Sequence, residues 1–149
     1  MLQKLAHPVT SYSLVAVQFA CIAVLLWFEP WLNFTTWLIP QLLGITLGLW
    51  AVATMHLGHF NIVPDPMPDS KLVTTGPYRW IRHPMYSSLL LFFLPTLVHS
   101  ESPFIWVCYG ILVIDLIVKL QYEEKLLNKA FHDYHLYQSR TKRLIPYLF

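Results

Sequence analysis

The sequence predicts an all-α integral membrane protein: four transmembrane helices and an amphipathic C-terminal helix on the cytosolic face. Three observations carry that expectation. Of 149 residues, 56% are hydrophobic and only 12% are charged, about half the charged share of an ordinary soluble domain. Four apolar runs divide the chain, near the ~20 residues that cross a hydrocarbon core, the last two being short without their flanks. The lysines and arginines concentrate in alternate connections, the pattern that sets membrane orientation.

The first run covers residues 12–28 and is closed by Glu29-Pro30. No small-residue cleavage site follows it, so it is expected to remain as a helix and not to be removed as a signal peptide. The second, residues 34–57, contains Gly44 and Gly48, a small-xxx-small pair that allows close helix approach. The third, residues 84–98, begins at Pro84 and contains Pro95; the fourth covers residues 103–119. Backbone groups in lipid must be satisfied internally, which makes these helices and not strands. With four spans, Lys4, Lys71, Arg79, Arg82, Lys119, Lys125, Lys129, Arg140, Lys142 and Arg143 all fall on one side. The opposite connections hold Glu29 and Glu101 with no basic residue, so both termini are expected in the cytoplasm.

The connection 58–80 is long and contains Pro64, Pro66, Pro68 and Pro77; loops of that kind are usually functional or disordered. Residues 122–140 read as the amphipathic helix, with Leu126, Leu127, Ala130, Phe131 and Tyr134 at helical spacing. It is expected to lie along the cytoplasmic surface and cover the bundle. The length suits a single domain, 1–149. Cys21 and Cys108 lie inside apolar runs and read as small hydrophobes, not as a disulfide or metal site. The net charge of +2 gives no sign of a nucleic-acid partner.

Two polar clusters meet the same membrane boundary. In the first, Thr75 is positioned to cap a short helix starting at Pro77. A break is expected at His83, because a residue before proline is pushed out of the α region. The third span then starts at Pro84 with its positive end toward the cytoplasm, and with Arg82 and His83 it forms a candidate anion site. The plainer alternative is an interfacial belt anchored by Tyr78, Trp80 and Tyr86. In the second cluster, Asp115, Lys119 and Glu123 are spaced i, i+4, i+8, stacked about 6 Å apart on one helix face, with Glu124 beside them. An ionisable group such as Asp115 within an apolar run is a functional candidate by default; the alternative is that it merely pairs with Lys119. A cytosolic molecule bearing a carboxylate and positive charge would suit the space between the clusters.

The strings LVTTGPYRWIRHPMY (72–86), YEEKLL (122–127) and FHDYHLYQSRTKRLIP (131–146) resemble the isoprenylcysteine carboxyl methyltransferase and phospholipid methyltransferase superfamily of membrane enzymes. The family's hallmarks are a G-x-Y…R-H-P-x-Y segment, an R-x-x-x-E-E segment and an F-x-x-Y-x-x-Y tail, and they occur here in that order, the second with Lys119 in place of its arginine. Phe60-Asn61 and the proline-containing loop also agree, so the resemblance covers residues 58–146. The short form looks like small bacterial members, which implies a bacterial inner membrane. The resemblance implies S-adenosylmethionine as methyl donor, with Leu72, Val73, Gly76, Tyr78, His83, Pro84, Met85, Tyr86 and Glu123 at the cofactor and no metal. It implies Arg82, Lys119 and Glu124 as the catalytic set, acting on a lipid or lipid-linked acceptor. Lys119 departs from the pattern: it stands where carboxyl methyltransferases have a substrate-side arginine, and lysine offers a point charge in place of a two-pronged fork. If the acceptor is an amine, Glu124, Glu123 or His83 could take its proton.

Other classes are weighed against this. A small four-helix transporter would need an ionisable residue deep in an early span, and the first two runs hold no acid, lysine or arginine. A nicotinamide-dependent membrane reductase of the sterol type would need further spans. A non-catalytic scaffold would not bind S-adenosylmethionine, which calorimetry would reveal.

Overall fold

The computed structural model describes residues 8–28, 36–55 and 72–149. They form α1 (Pro8–Phe28), α2 (Leu38–Met55), a 3₁₀ turn (Gly76–Arg79), α3 (Pro84–His99), α4 (Pro103–Ala130) and α5 (Tyr134–Arg140). No strand occurs among the described residues; a single parallel bridge joins Ile81 to Lys142. Lys4, Glu29, Lys71, the edges of the expected second span and the 58–71 part of the proline-rich connection lie outside the described residues.

Proline sets two of the helix starts. Pro84 and Pro103 each open a helix, where a missing N–H costs nothing and the fixed φ is already helical. Helix α1 is already formed at Pro8, four residues before the expected position 12. The start of α3 falls where the sequence indicates, with His83 held at φ −123, ψ 60, outside the α region.

The C-terminal half corrects one expectation. A span ending at 119 and a separate helix over 122–140 are replaced by one unbroken α4 of 28 residues. Residues 119–123 contain no glycine, proline or capping side chain to stop a helix. The stop comes at Phe131, which is extended at φ −121, ψ 116, and only the seven residues of α5 stand apart.

Three helices, α1, α2 and α4, are long and apolar enough to cross a membrane. Ile39, Leu43 and Leu49 on α2 and Trp106 and Ile114 on α4 are among their exposed apolar side chains, a surface suited to lipid and not to water. The chain is an integral membrane protein. Helix α3 is apolar but has 16 residues, about 24 Å at 1.5 Å per residue.

The helices pack as two antiparallel pairs. At one end of the first pair Phe28 of α1 meets Phe104 of α4 edge-on, ring centroids 5.8 Å apart; toward the other, Gln18 meets Lys119. In the second pair α2 lies directly on α3. A Cβ at Gly44 would sit 2.7 Å from the Ser88 carbonyl oxygen and 2.9 Å from the Phe92 nitrogen, so only glycine permits that approach. The pairs join where Tyr109 of α4 donates to the Leu90 carbonyl of α3 at 3.0 Å, over a core of Cys21, Leu25, Phe93, Ile105, Cys108, Leu112 and Leu116. Both cysteines are buried free thiols there, as their apolar surroundings predict. The start of α1, the end of α2, the start of α3 and the end of α4 therefore share one end of the bundle.

Candidate functional site

That shared end is built by two stretches of chain that meet from opposite sides. The 3₁₀ turn comes first. Thr75 occupies its N-cap in extended conformation, as its position suggests, but makes no side-chain capping bond. Gly76 has φ +57, and a Cβ there would collide with the Thr54 side chain of α2. Its place in the motif thus has a backbone reason, since a left-handed residue pressed against a helix must be glycine. After the turn, residues 80–83 run beside residues 141–144. Arg82 N–H donates to Lys142 O at 2.8 Å, His83 N–H to Arg143 O at 3.0 Å, and Lys142 N–H to Trp80 O at 3.0 Å. The Ser87 hydroxyl adds a bond to Leu144 O at 2.6 Å, and the Tyr137 hydroxyl one to Tyr78 O at 2.7 Å. The clasp fixes where Arg82 and His83 point.

Glu124 is the centre of this end. Its Oε1 accepts from Arg82 Nε at 2.7 Å and lies 3.4 Å from His83 Nε2; its Oε2 accepts from Arg143 Nε at 3.2 Å. Arg82 Nη1 also donates to Thr141 O at 2.6 Å and to Gln138 O at 3.3 Å. The Arg82 and Glu124 side chains are 8% and 5% exposed, so these are charge-assisted bonds screened little by water. The anion expected beside the start of α3 is thus the chain's own Glu124.

Glu123 is different. Its Oε2 accepts from the Tyr86 hydroxyl at 2.8 Å and sits 3.7 Å from His83 Nδ1. No described residue bonds its other oxygen, and its side chain is 26% exposed. The His83 and Tyr86 rings stack in parallel, 5.3 Å between centroids, so the imidazole faces Glu123 on one edge and Glu124 on the other. Burial pushes the phenols of Tyr78, Tyr134 and Tyr137 above the usual tyrosine range, with Glu123 and Glu124 adding to the effect at Tyr78 and Tyr134 respectively. All three stay protonated donors at neutral pH. Tyr134 is 1% exposed, and its hydroxyl has no hydrogen-bond partner among the described residues.

The expected charge ladder on α4 is not a ladder of ion pairs. Lys119 Nζ, buried, donates to Gln18 Oε1 of α1 at 2.6 Å and lies 5.4 Å from the Tyr86 ring centroid. Asp115 Oδ2 is buried with no hydrogen-bond partner among the described residues. The physical reason is rotation: successive i+4 positions drift around the helix, so Lys119 meets α1 while Glu123 and Glu124 meet α3 and the tail.

Of the sequence-predicted site residues, Arg82, His83, Tyr86, Glu123 and Glu124 come together, with Lys119 beneath Tyr86. Tyr78 and Pro84 are buried in the supporting turn and the first turn of α3, and Leu72, Val73 and Met85 are half-buried along the same stretch. Gln18, Tyr134, Thr141 and Arg143 belong to this end and were not singled out. An amide inside an apolar run was the available signal for Gln18; Tyr134 and Arg143 lay within the tail motif.

Residues 34–134 match the family model of phospholipid methyltransferases. Over 142 residues the chain is 30% identical to the cobalt-zinc-cadmium resistance protein CzcN of Cupriavidus metallidurans, covering 90% of this chain and 62% of that protein. It is 27% identical over 123 residues to a probable protein-S-isoprenylcysteine O-methyltransferase of Oryza sativa subsp. indica, covering 80% and 64%. It is 24% identical over 161 residues to the methanethiol S-methyltransferase of Pseudomonas deceptionensis, covering 95% and 61%. The chain spans about three fifths of the length of these curated relatives.

Proposed function

The chain belongs to the phospholipid methyltransferase family, and from that premise we propose that it transfers a methyl group from S-adenosylmethionine to a lipid or lipid-linked acceptor at the cytoplasmic membrane face. The observation that carries this reading is the convergence of the start of α3 and the end of α4 on Glu123. That carboxylate is half-satisfied, partly open and backed by a stacked His83–Tyr86 pair.

The residues present suit the donor. Two polar groups at one end of the bundle have unused bonding capacity, the Glu123 carboxylate and the buried Tyr134 hydroxyl. A ligand with cationic centres and ribose hydroxyls uses both. Glu123, Tyr86, His83 and Tyr134 would hold it, with Leu72, Val73, Gly76, Tyr78, Pro84 and Met85 forming the surrounding wall. When bound, S-adenosylmethionine supplies an electrophilic methyl on a sulfonium.

The protein's own contribution is alignment and the exclusion of water. Glu124 has both oxygens engaged, so it acts as a positioning residue that holds Arg82 and His83, and the tail against them. A carboxylate acceptor needs no base. An amine or a thiol would give its proton to Glu123 or to His83, which stands between the two glutamates. Lys119 closes the floor under Tyr86, where it would meet an acceptor entering from the lipid. The same reading has α3 as a fourth span, both termini in the cytoplasm, and a bacterial inner membrane as the site.

Calorimetric titration of the purified protein in detergent with S-adenosylmethionine tests the proposal. Saturable binding that drops at least tenfold in Glu123→Gln, with helicity unchanged, is expected; full affinity in that variant would sink the assignment. Membranes incubated with radiolabelled donor then reveal whether label enters a phospholipid, a prenylated peptide or a small thiol.

A further inference from the structure

Residues 144–149 close into a loop with an apolar tip. Leu144 N–H and Ile145 N–H both donate to Phe149 O at 2.7 Å, and Phe149 N–H returns to Ile145 O at 3.1 Å. Ile145, Tyr147 and Leu148 are 52%, 84% and 77% exposed. Cations gather beside it. Arg79, Arg140 and Lys142 are all exposed, and Asp133 is the one acid within residues 72–86 and 131–149. The clasp fixes where this loop lies. Its bridge between Ile81 and Lys142 is parallel, so residues 141–144 run the same way as residues 80–83, which lead into α3. The loop therefore sets off in the direction of α3, and Leu144 O is already bonded to Ser87 in the first turn of that helix. Trp80, in the clasp, meets Trp50 of α2 edge-on at 5.9 Å, and Trp50 is an exposed side chain on a helix suited to cross the membrane. The clasp thus lies at the lipid boundary and not out in water.

We propose that this loop is a surface anchor for anionic phospholipid: its apolar tip enters the boundary between headgroups and acyl chains, while Arg79, Arg140 and Lys142 face the lipid phosphates. Apolar burial and the attraction of cations to anionic lipid are the two components of interfacial binding, and each lysine or arginine near such a surface adds to it. The same cations disfavour a second copy of the chain, because its matching patch would bring like charges together. The anchor also bears on the polar end, a consequence that rests on the function proposed above. Arg143 stands between Lys142 and the loop, with its guanidinium 5.4 Å from the Phe149 ring, and its Nε donates to Glu124 at 3.2 Å. Seating the loop in anionic lipid keeps that contact closed.

The test places the full chain in phosphatidylcholine nanodiscs, with and without about 30% phosphatidylglycerol, and follows amide hydrogen exchange at residues 142–149. Exchange there should slow about tenfold in the anionic discs and recover at high salt, which screens surface charge. Arg140→Gln combined with Lys142→Gln should abolish the difference between the two lipids. Tyr147→Ser combined with Leu148→Ser should speed exchange in both; all four side chains are exposed, and the charge pair carries the test alone if the apolar pair does not fold. The anchor is overturned by equal exchange in the two lipids, by slowing that survives high salt, by the same slowing when glycerol phosphate is added to neutral discs, or by slowing that requires two copies per disc. Donor binding in detergent is read separately. Its failure removes the function proposed above and leaves the anchor, whereas lipid-insensitive exchange removes the anchor and leaves donor binding.

Discussion

Helix α2 meets α3 through glycine and backbone, whereas the last turns of α4, beyond its apolar core contacts, meet their neighbours through buried ions and amides. The α2–α3 seam needs only small residues: Gly44 and Gly48 let Ser88 approach, and dispersion over the close contact supplies the attraction. The α4 seam places Glu124 against Arg82 and Arg143, and Lys119 against Gln18. In a low-dielectric setting such pairs are costly to break and contribute little net stability when formed. The difference teaches that the first seam is scaffold, and that the second orients the charged groups of the proposed site.

The largest effect is expected on the polar side. Arg82→Ala leaves Glu124 without its nearest counter-charge and should cost about 3–5 kcal/mol. Hydrogen exchange at residues 141–144 should rise with it, since Arg82 also bonds Thr141. Unchanged exchange there would break the contrast. Next, Gly44→Leu forces a side chain into the α3 backbone and should cost roughly 3 kcal/mol by overpacking, read as lost thermal stability with S-adenosylmethionine affinity intact in the folded fraction.

Lys119 sharpens the comparison further. Lys119→Ala strands the Gln18 amide and should cost about 1–3 kcal/mol. The double variant Lys119→Met with Gln18→Leu, apolar on both sides, should recover most of that loss. If methyl transfer stays low while stability returns, Lys119 serves the acceptor; if both return, it is only glue. Lys119→Arg should keep more activity than Lys119→Ala. The smallest effect on folding belongs to Glu123→Gln, which should change stability by less than about 1 kcal/mol, since the Tyr86 hydroxyl still finds an acceptor, yet remove methyl transfer.

Local signals were readable in the sequence. Pro84 announced the start of α3, Gly44 and Gly48 announced the close seam, and the two motif clusters fell at one end of the bundle. Partnerships between distant stretches were not. Helical periodicity reports which residues share a face, but nothing in the spacing says that Glu124 would be claimed by Arg82 and Arg143, or that Lys119 would turn to Gln18. An uncharged amide in an apolar run gives no charge pattern to notice. The length of α4 was misjudged for a related reason: a change from apolar to amphipathic composition looks like a boundary, although no residue there interrupts the backbone hydrogen bonds.

That uninterrupted α4 has a mechanical consequence. Its 28 residues form a rod of about 42 Å, against a hydrocarbon slab of about 30 Å. Such a rod answers changes in lipid thickness by leaning, and leaning swings its far end, where Glu123 and Glu124 are mounted, relative to Arg82 and Tyr86. Turnover should therefore pass through an optimum as acyl chain length is varied in reconstituted bilayers, which makes the surrounding lipid a tuning element for the catalytic alignment.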